Sequence, residues 1–141
     1  MPIIHFHLVE GQSTPAQEEE LLKKASVFYA EVLQCPMDRV RVFIQTYAPN
    51  RCAVAGELVS SGRSQAPYFE FLALEGRPLE QRQRLLIGFT EMLVEILGVE
   101  RGLIRGHCKR VLPEEWCIGG KLAADLRKDD IKAFTSQGAA R

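Results

Sequence analysis

The second residue of this chain is its clearest candidate for acid–base chemistry. Pro2 follows Met1 and opens a strand-like run. If Met1 is removed, as is usual before a small second residue, Pro2 becomes a free secondary amine that can take up and release a proton. An α-amino group has an ordinary pKa of about 7.7–8, and an apolar surrounding with nearby cations favours its neutral, basic form. From this residue alone, the alternative stays open that Pro2 only caps an edge strand.

The amino-acid composition argues against several classes of partner and cofactor. Eighteen basic and eighteen acidic residues cancel in a chain of 141 residues, so we expect neither nucleic acid nor an anionic membrane as a partner. No apolar run approaches the roughly 18 residues of a membrane span, and the N-terminus lacks the pattern of a signal peptide. The cysteines and histidines show no metal-ligand or C-x-x-C spacing. We therefore expect no metal, and reduced thiols in a cytoplasmic protein.

The chain contains an internal duplication. Residues 67–76 repeat the pattern of residues 2–11 at an offset of 65, so that Pro2 falls on Pro67 and Gly11 on Gly76. Farther along the chain the offset is 64. The matches continue through a helix-like stripe, a second strand and a short hairpin, and they place Arg41 on Arg105. One register held over so many elements indicates two copies of one unit.

Each copy reads as strand, helix, strand and hairpin. In the first copy, apolar residues alternate from Ile4 to Leu8, and the segment from Thr14 to Gln17 has the signature of a capped helix start with proline at the first position. A strand–helix–strand unit forms a parallel pair. The sequence therefore predicts an α+β fold: a tandem β-α-β repeat with a four-stranded mixed sheet and two helices on one face. The other face would need a cover, which favours oligomerisation.

One domain over residues 1–141 accommodates this pattern. The first unit spans 2–60, the second spans 67–122, and 123–141 form a more polar C-terminal extension. For this extension two possibilities stay open, a clasp on a neighbouring subunit and a loose tail.

These motifs together resemble the tautomerase superfamily. Pro2, the Leu8-Val9-Glu10-Gly11 turn, Val40-Arg41-Val42 and the hairpin at 54–58 are similar to 4-oxalocrotonate tautomerase, and the second half resembles it again. The resemblance covers roughly residues 2–122. It implies a fused double unit that assembles as a homotrimer, like 5-carboxymethyl-2-hydroxymuconate isomerase, malonate semialdehyde decarboxylase and cis-3-chloroacrylic acid dehalogenase.

The resemblance also implies an isomerase that moves a proton on a small 2-oxo or 2-hydroxy-dienoate carboxylate without a cofactor. Pro2 matches the catalytic base, and Arg77, after the second Glu-Gly turn, matches the arginine that binds a substrate carboxylate. Arg105 and Arg41 match the strand arginine that reaches a site from a neighbouring subunit. Trp116 matches the aromatic residue that makes the pocket apolar, with Ile118 beside it in the hairpin. The mirror position around Pro67 has Gln12 and Cys52 instead, and Pro67 has no basic nitrogen.

Simpler roles exist for the same residues. Arg77 fits a loop before a helix, and Arg105 fits a solvated strand face shared with His107 and Lys109. Arg41 fits an intersubunit ion pair, and Trp116 fits interface packing. Within the family, a decarboxylase or hydratase activity is the alternative, because Trp116 and Asp38 resemble the decarboxylase. Outside enzymes, the alternative is a binding protein that uses this scaffold with an inactive amine.

Overall fold

The computed structural model of the protein describes residues 2–139, and within the last helix it describes only the backbone at 134, 135 and 137–139. The predicted removal of Met1 concerns a residue outside this range. The helices and strands, in chain order, are β1 Ile3–Val9, α1 Pro15–Leu33, β2 Arg41–Tyr47, β3 Ala53–Val54, β4 Glu57–Leu58, β5 Tyr68–Leu74, α2 Leu79–Leu97, β6 Arg105–Val111, β7 Cys117–Ile118, β8 Lys121–Leu122, α3 Ala123–Leu126 and α4 Lys128–Ala139.

Local sequence signals set these boundaries. Thr14 accepts a hydrogen bond from the Gln17 backbone N–H, and the Gln17 side chain accepts one from the Thr14 backbone N–H. This is the predicted capping box, with Pro15 at the first helical position. In β1 the alternation is strict, because Ile4, Phe6 and Leu8 are buried while the residues between them are half-buried. The period of two therefore points one side of the strand at the core.

The four long strands form one mixed sheet in the order β2-β1-β5-β6. β1 pairs in parallel with β2, and β5 pairs in parallel with β6. The two units meet through the antiparallel pair β1–β5, in which Ile4 lies opposite Phe71 and His7 opposite Tyr68. This arrangement confirms the predicted fold class. It also brings the end of β5 next to the start of β1, so the turn that carries Arg77 follows directly beside Pro2.

Both long helices cover one face of this sheet and enclose the core. Phe89 of α2 packs at its centre, with ring centroids 5.4 to 5.9 Å from those of five other aromatic residues. Edge-to-face pairs of this kind stabilise a core by about 0.5–1.5 kcal/mol each beyond area burial. The buried rings come from both units, so the two repeats share one hydrophobic core and not two.

The opposite face of the sheet carries polar and aromatic side chains without a helix over them. Phe43 of β2 is 47% exposed there. His7 stacks between Tyr47 and Tyr68, and its Nδ1 lies 2.7 Å from the Tyr47 hydroxyl. Glu70 accepts a hydrogen bond from the Tyr68 hydroxyl and pairs with Lys109. This open face is the surface for which the sequence predicts a cover. In the described part of the chain, no helix is long and apolar enough to cross a membrane.

The two helix ends differ in one residue, and the difference allows a stability test. Gln34 follows α1 with φ of 52°, and its counterpart Gly98 follows α2 with φ of 67°. A side chain in this left-handed region costs about 1–2 kcal/mol. We expect Gln34→Gly to raise the free energy of unfolding by about 0.5–1 kcal/mol, and Gly98→Ala to lower it by about 1 kcal/mol.

Urea denaturation of both variants measures these changes. Nothing lies within 4 Å of a Cβ built on Gly98, so backbone strain is the only cost there. A stabilised Gly98→Ala protein would contradict this account.

Candidate active site

A cavity of about 560 Å³ lies where the second half of the chain meets the start of β1 and β2. Its lining comes from both repeats and from the C-terminal extension: Ile3, Pro36, Asp38, Arg39, Arg41, Trp116, Cys117, Ile118, Gly119 and Arg127. A volume of this size suits a small-molecule ligand. Arg41, Trp116 and Ile118, three of the residues singled out from the sequence, therefore lie around one pocket within a single chain.

Pro2 is buried at the edge of this pocket. Its neighbour Ile3 lines the wall, and its carbonyl oxygen accepts a hydrogen bond of 2.8 Å from the Arg41 backbone N–H. The parallel β1–β2 pairing produces this contact, since it places Ile3 opposite Arg41. The Arg41 guanidinium donates to the backbone carbonyls of Asp38 and Val40, which holds it at the mouth of the pocket. Arg41 thus contributes to the pocket of its own chain.

The β7–β8 hairpin supplies the opposite wall. Trp116 precedes β7 and is half-buried, and its carbonyl oxygen accepts a hydrogen bond from the Ala123 backbone N–H. Ile118 pairs with Lys121 across the hairpin. The bend between them uses Gly119 and Gly120, both with positive φ, a conformation that glycine adopts at little cost. Both apolar side chains line the pocket together with Ile3 and Arg41 of the first repeat.

Arg77 lies beside the pocket but does not line it. Its Nη1 donates to the Leu33 carbonyl at 2.9 Å, at the C-terminal end of α1, where a cation is favourable. Burial lowers the pKa of Arg77 from its ordinary value, while the nearby Cys35 and Asp130 favour its charged form. The guanidinium is thus near the pocket wall, and α1 fixes its orientation.

Arg105 lies at the other end of the sheet. Its backbone N–H donates to the Pro67 carbonyl, and its guanidinium donates to Gly102 and Ile104. These bonds repeat those of Arg41 beside Pro2. A single chain therefore does not bring Arg105 to Pro2, and its predicted role depends on a neighbouring subunit.

The mirror position near Pro67 has a pocket of different character. Its volume is about 440 Å³, and Cys52, Val54 and Tyr68 line it together with Glu70 and His7. Cys52 occupies the place of Trp116, and the lining has one arginine, Arg51, and one carboxylate, Glu70, against three arginines and Asp38 in the first pocket. The two pockets therefore differ in charge and in aromatic character, although the backbone around them repeats.

Two titratable groups near the start of β1 belong to the core, the buried Tyr29 and the half-buried Cys35. Tyr29 is fully buried, and its hydroxyl donates to the Leu72 carbonyl at 2.5 Å and lies 3.4 Å from the Ile3 carbonyl. Burial raises the pKa of Tyr29 well above its usual range. Burial also raises the pKa of the Cys35 thiol, which the charges of Arg77 and Arg39 partly oppose. The raised pKa values favour the neutral forms of both groups, which pack in or against the hydrophobic core.

Sequence reasoning missed two charged pocket residues, Arg39 and Arg127. Arg39 follows the end of α1, and only the closeness of that segment to β1 reveals its position. Arg127 belongs to the C-terminal extension, which has no counterpart in the first repeat. Among the described residues, no group of three or more histidine, cysteine, aspartate or glutamate side chains is placed to hold a metal ion, and the four cysteines are free thiols.

Comparison with known proteins identifies the family. A family model described as tautomerase enzyme matches residues 2–62. The 2-hydroxymuconate tautomerase of Pseudomonas sp. (strain CF600) is 36% identical over 63 residues, which are 98% of that protein and 45% of this chain. The chain belongs to the tautomerase family. A 2-hydroxymuconate tautomerase of Pseudomonas putida matches to the same extent, so each relative corresponds to about half of this chain.

Solved structures resemble this chain over most of its length. A native fused 4-OT superimposes with a TM-score of 0.81 at 21% identity and covers 89% of this chain and 98% of its own. A member of the cis-3-chloroacrylic acid dehalogenase family has a TM-score of 0.76 at 12% identity and covers 99% of this chain. These similarities show the fold, a duplicated unit that shares one four-stranded sheet.

Proposed function

We propose that this protein is a cofactor-independent keto–enol tautomerase that acts on small 2-oxo or 2-hydroxy-dienoate carboxylates with Pro2 as its general base. The observation that carries this proposal is the pocket beside Pro2, which is lined by Arg41 and by Trp116 from the two halves of the chain. The similarity to the 2-hydroxymuconate tautomerases supports the reaction type.

The proposed reaction moves one proton. The Pro2 nitrogen removes the proton from the enol hydroxyl of a 2-hydroxy-dienoate, and the electron pair of that O–H bond forms the carbonyl. The conjugated electrons shift along the chain, and a distant carbon takes the proton back from the Pro2 ammonium. General acid–base catalysis of this kind contributes about 10²–10⁴-fold. The Pro2 amine is neutral before and after the reaction, so the base is regenerated in each turnover.

In this proposal, the arginine side chains and the apolar side chains around the pocket assist the proton transfer. Guanidinium groups bind carboxylates through paired N–H donors, a role that we assign to Arg41 in the lining and to Arg77 beside it. Trp116 and Ile118 keep water from the amine, which favours the unprotonated form. Arg105 of an adjacent subunit would bind a further substrate oxygen and stabilise the dienolate charge.

The experiment is a proton-NMR assay with 2-hydroxymuconate and phenylenolpyruvate. Protein whose loss of Met1 is verified by intact mass should convert the enol into the keto form with turnover. Protein that retains Met1 is the matched control, because its Pro2 is an amide without a basic nitrogen. Equal rates for both forms of the protein, or no rate above buffer, would contradict the proposal and favour a binding protein on this scaffold.

A second activity within the family has one observation in its favour. Asp38 and Trp116 line the same pocket, and a carboxylate beside the amine is suited to activate water or to assist loss of carbon dioxide. The same NMR assay with malonate semialdehyde tests this alternative. Acetaldehyde formed faster than enol conversion would make decarboxylation the main activity.

We also propose that the protein is a homotrimer with no nucleic acid or membrane partner. The open face of the sheet supports this, because Phe43 is half exposed there, and one fused 4-OT with a TM-score of 0.79 forms an asymmetric trimer. We expect light scattering at micromolar concentration to give about three times the 15.9 kDa mass of one chain. A monomeric mass would contradict the homotrimer. It would also contradict the proposed role of Arg105, which requires a neighbouring subunit.

A further inference from the structure

The C-terminal extension folds back onto the pocket of its own chain. α3 begins directly after β8, and its first residue, Ala123, is fully buried and donates a hydrogen bond of 2.8 Å from its backbone N–H to the Trp116 carbonyl. The extension is thus attached at the residue that forms the apolar wall.

A second contact, an ion pair, attaches α4 to the segment after α1. The Asp130 carboxylate pairs with Arg39 at 3.2 Å, and Arg39 lines the pocket after the end of α1. Between the two attachments stands Arg127, whose backbone N–H donates to the Ala123 carbonyl at 2.8 Å. Arg127 is half-buried and lines the pocket. The extension therefore delivers one guanidinium into the site from outside the duplicated units.

The charge of the lining indicates what this guanidinium binds. Three arginines and one aspartate line the pocket, which gives a formal net charge of +2. Arg39 already pairs with Asp130, and the Arg41 guanidinium donates to backbone carbonyls. Within residues 2–139, the Arg127 side chain makes no hydrogen bond or ion pair to a described residue. A half-buried cation with open donors in a cationic pocket is suited to a second anionic group on the ligand.

We propose that Arg127 binds the distal carboxylate of a dicarboxylate substrate and so determines the preference for dicarboxylates over monocarboxylates. This inference rests on the proposed function for the identity of the proximal carboxylate, which lies beside Pro2 and Arg41. The cavity of about 560 Å³ is large enough in volume for a six-carbon dicarboxylate.

The chain offers its own binding probe, because Trp116 is the single tryptophan and lines the pocket. Trp116 fluorescence is titrated with muconate (hexa-2,4-dienedioate) and with sorbate (hexa-2,4-dienoate), which differ by one carboxylate. We expect the native protein to bind muconate at least about tenfold more tightly, and Arg127→Ala to lose about tenfold or more of muconate affinity while sorbate affinity stays within about twofold.

Two further variants control the measurement. Arg127→Lys keeps the charge without the planar donor pair and should recover part of the muconate affinity. Lys128→Ala removes the adjacent, exposed cation outside the pocket and should leave both affinities unchanged. Native-like Trp116 emission without ligand verifies that each variant is folded.

The outcomes separate this proposal from the proposed function. Three results would overturn the role of Arg127. They are an equal loss of affinity for both ligands in Arg127→Ala, no loss of affinity for either ligand, and a native protein that does not prefer muconate. Turnover of 2-hydroxymuconate is measured apart from binding. If the native protein shows the charge-dependent preference but converts no enol, the tautomerase proposal fails while the dicarboxylate site stands.

Discussion

Replacing Pro2 with alanine should lower kcat for 2-hydroxymuconate by about a hundredfold or more, because it exchanges the cyclic secondary amine for a more mobile primary amine of different basicity. Residual activity is expected, since the variant still presents an α-amino group beside Arg41 once Met1 is removed. Folding should change little. The Pro2 carbonyl bond to the Arg41 backbone is kept by any residue at this position.

The duplication provides the matched control. Pro67 is likewise buried at the start of a strand, and its carbonyl accepts a hydrogen bond from the Arg105 backbone N–H, as that of Pro2 does from the Arg41 backbone N–H. Pro67 is an internal imide without a basic nitrogen. Pro67→Ala should therefore retain native kcat, with thermal unfolding measured for both variants. If the two substitutions reduce kcat equally, the loss reflects strand packing, and Pro2 is not the base.

The fold could be predicted in detail because the duplication repeats the strongest local signals. The alternation in β1 and the Thr14–Gln17 cap each determine an element by short-range chemistry. Two copies in one register then require two parallel pairs. Their antiparallel junction, β1 against β5, follows from topology and not from any single residue.

The pocket could be predicted only in part. Arg41, Trp116 and Ile118 lie in repeated segments, so a repeat-based argument places them together. Arg127 lies in the unrepeated extension, where neither periodicity nor a counterpart indicates a position. The contact of Arg77 with Leu33 depends on how the end of α1 approaches the second turn. Such contacts between distant segments are set by packing and are not encoded in local sequence.

Arg77→Ala has the second largest expected effect. If Arg77 helps to bind the substrate carboxylate, kcat/KM should fall by about 2–4 kcal/mol in transition-state stabilisation, a loss of roughly 30- to 1000-fold. Removal of the guanidinium also leaves the Leu33 carbonyl without this donor, which should lower the free energy of unfolding by about 1–3 kcal/mol. The two effects are separated by measuring kinetics well below the unfolding midpoint and stability by urea denaturation.

Gln12 is the counterpart of Arg77 in the first repeat. A variant of Gln12 serves as the control that distinguishes whether Arg77 binds the substrate or only caps α1. Gln12 lies at the end of α2, in a pocket of about 290 Å³ with Leu97 and Gly98, as Arg77 lies at the end of α1. Gln12→Ala should leave kcat/KM within about twofold of native, because Pro67, the proline of the corresponding mirror position, has no basic nitrogen. If Arg77→Ala destabilises the protein but keeps native kcat/KM, Arg77 only holds the end of α1. The substrate carboxylate must then bind to Arg41 and its neighbours in the lining.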